Sequence, residues 1–119
     1  MGRMKLLTKE IEKKFASIGS QEGLGKDAQI ILKIFNPYGH ATWYFTEFDP
    51  EQRLLFGFAS LLGDHNDEWG YTSLDELVSV QPIPGLYLER DAHFDYSKVS
   101  EMTLICKKMQ WSTPDHPRY

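Results

Sequence analysis

A chain of 119 residues that is 41% hydrophobic, 13% aromatic and 25% charged has the composition of one folded domain, which excludes an intrinsically disordered protein. Its net charge of −4 disfavours general attraction to nucleic-acid phosphates. The only cysteine, Cys106, excludes an intrachain disulfide, and no apolar run approaches the roughly 20 residues of a membrane span. We therefore expect a single domain over residues 1–119, located in the cytoplasm, with no membrane association.

An amphipathic helix is predicted near the N-terminus. Apolar residues recur there at spacings of four, four and three, which is one stripe of a helix: Leu7, Ile11, Phe15 and Ile18. Thr8 is suited to cap the N-terminus of this helix, and Gly19 is suited to end it. A loop over residues 20–27 follows.

A meander of three antiparallel strands is predicted next, from segments rich in β-branched and aromatic residues. These strands cover residues 28–35, 42–48 and 53–62. Asn36-Pro37-Tyr38-Gly39 has the residues of a type I turn, and residues 49–52 form the second turn. Gly57, inside the third strand, indicates a bulge or a close packing contact.

Alternation along the middle strand predicts that Glu47 lies on the same face as Trp43 and Phe45. Tyr44, Thr46 and Phe48 then lie on the opposite face. A carboxylate that continues an aromatic face is a candidate functional group. The same placement is equally compatible with a strand end that is exposed to water.

The rest of the chain supplies short elements around this meander. Residues 69–72 are predicted to be a fourth strand, and Ser73 with Glu76 forms a capping box that opens a short helix. Residues 86–96 are predicted to be extended. A C-terminal helix is predicted from the spacing of Val99, Met102, Cys106 and Met109. The expected fold class is therefore α+β, with a small antiparallel sheet packed against N-terminal, central and C-terminal helices.

The segment from Glu89 to Asp95 carries the densest polar pattern. If it is extended, Glu89, Asp91, His93 and Asp95 project from one face. Such a face suits a divalent metal or proton transfer, and it equally suits the hydrated side of an edge strand. Arg90 is available for an ion pair with Glu47 or Asp91. The spacing matches no established ligand pattern, so we predict no metal site.

The aromatic residues of the strands have two interpretations. Trp43, Tyr44, Trp69 and Tyr71 are compatible with a stacking platform for bases or for a peptide. Aromatic residues of a small antiparallel sheet more often fill its core. No Lys or Arg is interleaved with them between Leu54 and Arg90, which disfavours stacking on nucleic acid.

Two other stretches contain incomplete ligand motifs. Gly23-Leu24-Gly25-Lys26 lacks the first Gly and the final Ser or Thr of a phosphate-binding loop. The stretch from Asp64 to Glu68 lacks the Gly that a calcium loop needs, because Trp69 occupies that position. We therefore predict no cofactor.

A set of short stretches also carries a family resemblance. In order, they are Leu6-Leu7-Thr8-Lys9-Glu10, Thr42-Trp43-Tyr44 with Glu47-Phe48-Asp49, Trp69-Gly70-Tyr71 with Ser73-Leu74-Asp75-Glu76-Leu77, and Glu89-Arg90-Asp91 with His93-Phe94. Their combination resembles the bacterial family known as domain of unknown function 2958, over about Met4 to Glu101. The resemblance implies an association with plasmids, conjugative elements and other mobile DNA. It implies no activity or catalytic residue, and Met102 to Tyr119 is expected to extend beyond the family-like region.

These observations favour an accessory protein of mobile DNA that is not an enzyme and that acts by binding another protein. One alternative is a metal-dependent or acid–base enzyme that uses a Glu/Asp/His cluster, and another is a nucleic-acid-binding module. The enzyme requires that Glu47 and the Glu89–Asp95 segment converge in the fold. The candidate binding surface comprises Trp43, Tyr44, Glu47, Asp49, Tyr71, Glu89, Arg90, Asp91 and His93.

Overall fold

The computed structural model describes residues 5–24, 27–60, 68–94 and 98–101 of the chain. Residues 99–101 are helical, which confirms the start of the expected C-terminal helix. The remainder of that helix, the end of the expected third strand and Asp95 lie outside the described residues.

The fold is α+β, as expected, with a five-stranded antiparallel sheet at its centre. In chain order its elements are α1 (Lys9–Ile18), β1 (Leu32–Phe35), β2 (Thr42–Asp49), β3 (Leu54–Ser60), β4 (Glu68–Ser73), α2 (Leu74–Ser79) and β5 (Glu89–Arg90). The strand order is β4-β3-β2-β1-β5. The meander of β1, β2 and β3 is confirmed, and β5 is added at the edge next to β1.

Both helices begin at side-chain caps that the sequence predicts. The backbone N–H of Ile11 donates to Thr8 Oγ1 at 3.2 Å at the start of α1, and Gly19 ends this helix with φ of 69°. At the start of α2, the N–H of Glu76 donates to Ser73 Oγ at 3.2 Å. A capping oxygen satisfies an N–H that has no partner within the helix, which stabilises each helix by about 1 kcal/mol.

The first strand is shorter than expected, because β1 begins only at Leu32. The backbone of Gln29 is bonded to the side chain of Gln21 instead of to a neighbouring strand. Its N–H donates to Gln21 Oε1 at 2.7 Å, and its carbonyl accepts from Gln21 Nε2 at 2.8 Å. The expected strand start at residue 28 is therefore wrong, since a side chain replaces the ladder bonds of Gln29.

A β-bulge interrupts β2 and changes which residues share a face. The cross-strand register steps from Phe45 opposite Gly57 to Glu47 opposite Phe56, so Thr46 is the additional residue. Glu47 consequently lies on the opposite face from Phe45. The expectation that Glu47 continues the face of Trp43 and Phe45 is therefore wrong, because the bulge inverts the alternation.

The two faces of the sheet are packed differently. The helix face, which carries Ile34, Phe45 and Leu55, is covered by α1 and α2 in one apolar cluster. The aromatic face carries Tyr44, Phe56 and Phe58, and of these Tyr44 and Phe58 pack in one cluster with Ala28, Ile30 and Val99. Burial on both faces explains why the strands are apolar on both sides and do not alternate strictly with polar residues.

Candidate functional site

Glu47 has a structural contact at the bulge. One of its carboxylate oxygens accepts a hydrogen bond of 3.2 Å from the backbone N–H of Gln21. Gln21 is itself buried and also donates from its side-chain amide to the carbonyl of Thr46 at 2.7 Å. Glu47 therefore helps to hold the loop after α1 against the bulge, and this contact explains a carboxylate at this position.

The Glu89–Asp95 segment does not form the expected polar face. The strand β5 ends at Arg90, and the N–H of His93 donates to Asp91 Oδ1 at 3.0 Å, which is the turn that an Asp side chain commonly closes. The prediction of an extended segment is therefore wrong at residues 92–93, where the chain turns, and residues 95–96 lie outside the described residues. Glu89 pairs with Phe35 and Arg90 with Ile34, so these two side chains lie on opposite faces of the sheet.

Two basic residues anchor this segment to the rest of the fold. Lys33 Nζ lies 3.4 Å from Asp91 Oδ2, in a partly exposed ion pair. The same ammonium group lies 5.8 Å from the ring centre of Tyr44 and 5.9 Å from that of Phe94. The guanidinium of Arg90 donates to the carbonyl of Lys5, which fastens the chain before α1 to this edge of the sheet.

The candidate carboxylates do not converge. The N–H of Asp91 donates to the carbonyl of Lys33, and Lys33 pairs with Tyr44, three residues before Glu47. Asp91 therefore lies two strand spacings, of about 4.8 Å each, across the sheet from β2, and Glu47 lies three residues, of about 3.3 Å each, along β2 from Tyr44. Together these distances place the backbones of Asp91 and Glu47 roughly 14 Å apart. Within the described ranges, no group of three or more His, Cys, Asp or Glu side chains is placed to hold a metal ion.

Asp49 also has a local role. Its Oδ1 accepts from the N–H of Glu51 at 2.9 Å and of Gln52 at 3.3 Å, which closes the turn between β2 and β3. Among the described residues, Glu47 and the Glu89–Asp95 segment therefore do not share the cleft that the enzyme alternative requires.

The aromatic residues of the candidate surface are mostly buried. Trp43 packs against the core of the helix face, and Tyr44 is only 4% exposed on the aromatic face. Tyr71 differs, because it is 60% exposed while its ring lies 5.1 Å from that of Phe56. Of the aromatic residues proposed for stacking, Tyr71 is therefore the one that presents a large surface to a ligand.

A different apolar surface lies in the connection between α2 and β5. Val80 is 40% exposed, Ile83 44% and Leu86 40%. The N–H of Leu86 donates to the carbonyl of Ile83 at 2.8 Å, and Gly85 has φ of 83°. Pro84 followed by a glycine of positive φ gives the arrangement of a type II turn. We call residues 80–86 the apolar turn.

The apolar turn adjoins a cleft of about 330 Å³. Val78, which precedes the turn, and Tyr87, which follows it, both line the cleft, and Lys5 and Arg53 also lie along it. Pro82, Pro84 and Gly85 disfavour regular secondary structure in this stretch. Val80, Ile83 and Leu86 are the apolar residues interspersed among them, and this spacing in a turn-rich connection is the sequence signal of the surface.

Comparison with known proteins supplies the family. The family described as "Protein of unknown function (DUF2958)" matches residues 6–108. The chain belongs to this family. The DUF2958 match continues past Glu101, where the family-like region was expected to end. No curated protein and no solved structure gives a significant match to this DUF2958 member. In the part of the chain that the structure describes, no helix is both long and apolar enough to cross a membrane.

Proposed function

We propose that this DUF2958 protein is an accessory protein of mobile DNA that acts in the cytoplasm by binding another protein through the apolar turn. The link to mobile DNA follows from the family resemblance carried by the sequence motifs. Binding of a protein is supported by one observation above all, which is the exposure of Val80, Ile83 and Leu86 on a hydrogen-bonded turn.

Exposed apolar side chains that are grouped in this way suit a protein interface. Single exposed apolar residues are common on protein surfaces, whereas three within seven residues, two of them paired across a turn, favour a contact site. Covering the exposed 40–44% of each side chain contributes about 1 kcal/mol, since full burial of a Val, Leu or Ile contributes about 1.5–3 kcal/mol. The apolar turn therefore supplies the centre of an interface whose remaining area comes from its surroundings.

The apolar turn is also held in one conformation before a partner arrives. The N–H of Gly85 donates to Gln81 Oε1 at 2.7 Å, and Pro84 fixes its own backbone φ. Ordering a flexible loop on binding costs free energy, and a preformed turn avoids most of this cost. A partner consequently gains more of the free energy of apolar burial.

The separation of the polar candidates supports binding over catalysis. Glu47 and Asp49 are bonded to nearby backbone N–H groups, and Asp91 is paired with Lys33. Each carboxylate therefore has a contact that stabilises the fold.

The test is affinity capture with matched variants in a host that carries the mobile element. The interface variant replaces Val80, Ile83 and Leu86 with Ser. The control variant replaces Leu24 and Tyr38 with Ser, because these two apolar residues lie outside the apolar turn and have a similar exposed fraction. We expect one partner to be retained by the wild type and the control and to be lost by the interface variant, at equal melting temperature. A partner that the interface variant retains, or no specific partner at all, would refute the proposal. Fractionation of the same cells tests the cytoplasmic location.

A further inference from the structure

A second surface, separate from the apolar turn, lies between α1 and the end of β2. It is a groove of about 420 Å³, and its lining includes Phe15, Ala16, Phe48 and Pro50. The rings of Phe15 and Phe48 are in contact, with their centres 5.9 Å apart. The groove therefore has an apolar floor of a volume that accommodates one or two large side chains.

Lysine side chains border this apolar floor. Lys9 and Lys13 are four residues apart on α1, so they project from the same side of the helix, and both line the groove. Within the described residues, neither lysine forms an ion pair. Glu12 also lines the groove, which leaves two ammonium groups against one carboxylate.

This local charge is opposite in sign to that of the whole protein. The chain carries a net charge of −4, so an acidic partner is repelled by the molecule in general. At the groove, the two lysines reverse the sign of the interaction. Charge complementarity of this kind selects the partner and orients it, while the apolar floor contributes affinity.

We propose that the groove between α1 and β2 binds an acidic peptide segment of a partner protein, with one large apolar side chain of the peptide packed on the apolar floor that Phe15 and Phe48 form. The lining residues of α1 span residues 9–16, which is about 10 Å along the helix axis. An extended peptide advances about 3.3 Å per residue, so roughly three residues follow this length. An acidic residue on each side of the apolar anchor then lies within reach of Lys9 and Lys13.

Selection of a random peptide library against the full chain tests this proposal. We expect enrichment of peptides that combine acidic residues with one large apolar residue. The binding of such a peptide should weaken about tenfold in the double variant Lys9→Glu, Lys13→Glu, because attraction becomes repulsion. Ala16→Trp should weaken it to a similar degree without a change of charge, since Ala16 is an exposed residue that lines the groove.

The matched control is Lys5→Glu with Lys98→Glu, which changes the net charge equally at two other exposed lysines. This control should bind the peptide as the wild type does. Enrichment of basic or neutral peptides, equal binding by the Lys9 and Lys13 variant, or no enrichment would overturn the proposal. The melting temperature of the protein is also measured with decanoate, a small amphiphile. If decanoate raises the melting temperature but the library yields no binding peptide, the proposal of a peptide site is overturned. The interface variant of the apolar turn should retain the peptide, so the two surfaces are tested independently.

Discussion

The side-chain amide of Gln21 donates a hydrogen bond of 2.7 Å to the backbone carbonyl of Thr46, the additional residue of the bulge in β2. The same side chain also bonds both the N–H and the carbonyl of Gln29. Gln21 is only 1% exposed, and its bond to the Thr46 carbonyl is buried, whereas its bonds to Gln29 are partly buried. One side chain therefore joins the loop after α1 to the sheet, at the point where the alternation of β2 inverts.

We expect Gln21→Ala to destabilise the fold by about 2–4 kcal/mol. The substitution removes the partners of the buried Thr46 carbonyl and of the partly buried N–H and carbonyl of Gln29, and each unsatisfied group costs about 1–3 kcal/mol before water or relaxation compensates. Urea denaturation measures the loss. Gln29→Ala is the matched control, because the bonds of Gln29 to Gln21 use only its backbone, and it should change the free energy of unfolding by less than about 0.5 kcal/mol. Equal losses in the two variants would contradict this account.

Gly57 is required by the close approach of β3 to β2. A Cβ atom at this position would lie 2.0 Å from the carbonyl oxygen of Tyr44 and 2.7 Å from the Cα of Phe45. We expect Gly57→Ala to destabilise the protein by about 3 kcal/mol or more, because backbone atoms must move to accept the methyl group. Differential scanning calorimetry, or the yield of folded protein, measures the effect.

Gly70 provides the control for this substitution, since it pairs with Gly57 across β3 and β4. A Cβ on Gly70 meets no atom of the described residues within 4 Å. Gly70→Ala should therefore stabilise the protein by up to about 1 kcal/mol, through the lower entropy of its unfolded chain. Comparable destabilisation in both variants would show that the close approach of β2 to residue 57 is not the cause of the loss.

The parts of the fold that the sequence predicted depend on local signals. The cap at Thr8, the stop at Gly19 and the turn at Asn36-Pro37-Tyr38-Gly39 each involve residues close together in the chain. The bulge at Thr46 does not. It depends on Gln21, 25 residues earlier, and on Gly57 in the next strand. Alternation of apolar residues therefore gave the wrong face for Glu47, although Gly57 had indicated that a bulge was near.

The candidate site was harder to predict for a similar reason. The polar pattern from Glu89 to Asp95 resembles one face of a strand, but the contact of Asp91 with Lys33 and the turn at His93 end the strand early. Exposure of Val80, Ile83 and Leu86 depends on which neighbours the fold supplies, and composition does not reveal this. Sequence motifs identified the family, whereas the apolar turn required the structure.

Arg53 is the non-glycine residue with positive φ in the described part of the chain, at 54°. Its Nε lies 2.9 Å from Asp75 Oδ1 in an exposed ion pair, and its carbonyl accepts from the N–H of Leu74. A left-handed conformation costs a non-glycine residue about 1 kcal/mol, whereas an exposed ion pair contributes about 0–1 kcal/mol.

We therefore expect Arg53→Gly to be at least as stable as the wild type and about 1 kcal/mol more stable than Arg53→Ala, which loses the ion pair but keeps the backbone cost. Chemical denaturation of the three proteins measures the difference. Asp75→Asn removes the ion pair and also a carboxylate from the first turn of α2, so it should be no more stable than Arg53→Ala. If the alanine variant is as stable as the glycine variant, the backbone at residue 53 bears no cost.

Gly85 determines the shape of the apolar turn, because its φ of 83° is available to Gly and Asn but strains a β-branched residue. We expect Gly85→Val to weaken the hydrogen bond from the Leu86 N–H to the Ile83 carbonyl. Hydrogen exchange at the Leu86 amide should then become about tenfold faster, which corresponds to a strain of about 1.4 kcal/mol. Gly85→Asn is the control and should keep the wild-type exchange rate.

The valine variant should also lose the partner that the apolar turn binds, because Ile83 and Leu86 no longer share one fixed arrangement. Unchanged exchange in Gly85→Val would mean that the turn does not depend on the conformation of Gly85, and binding would then depend on the side chains alone.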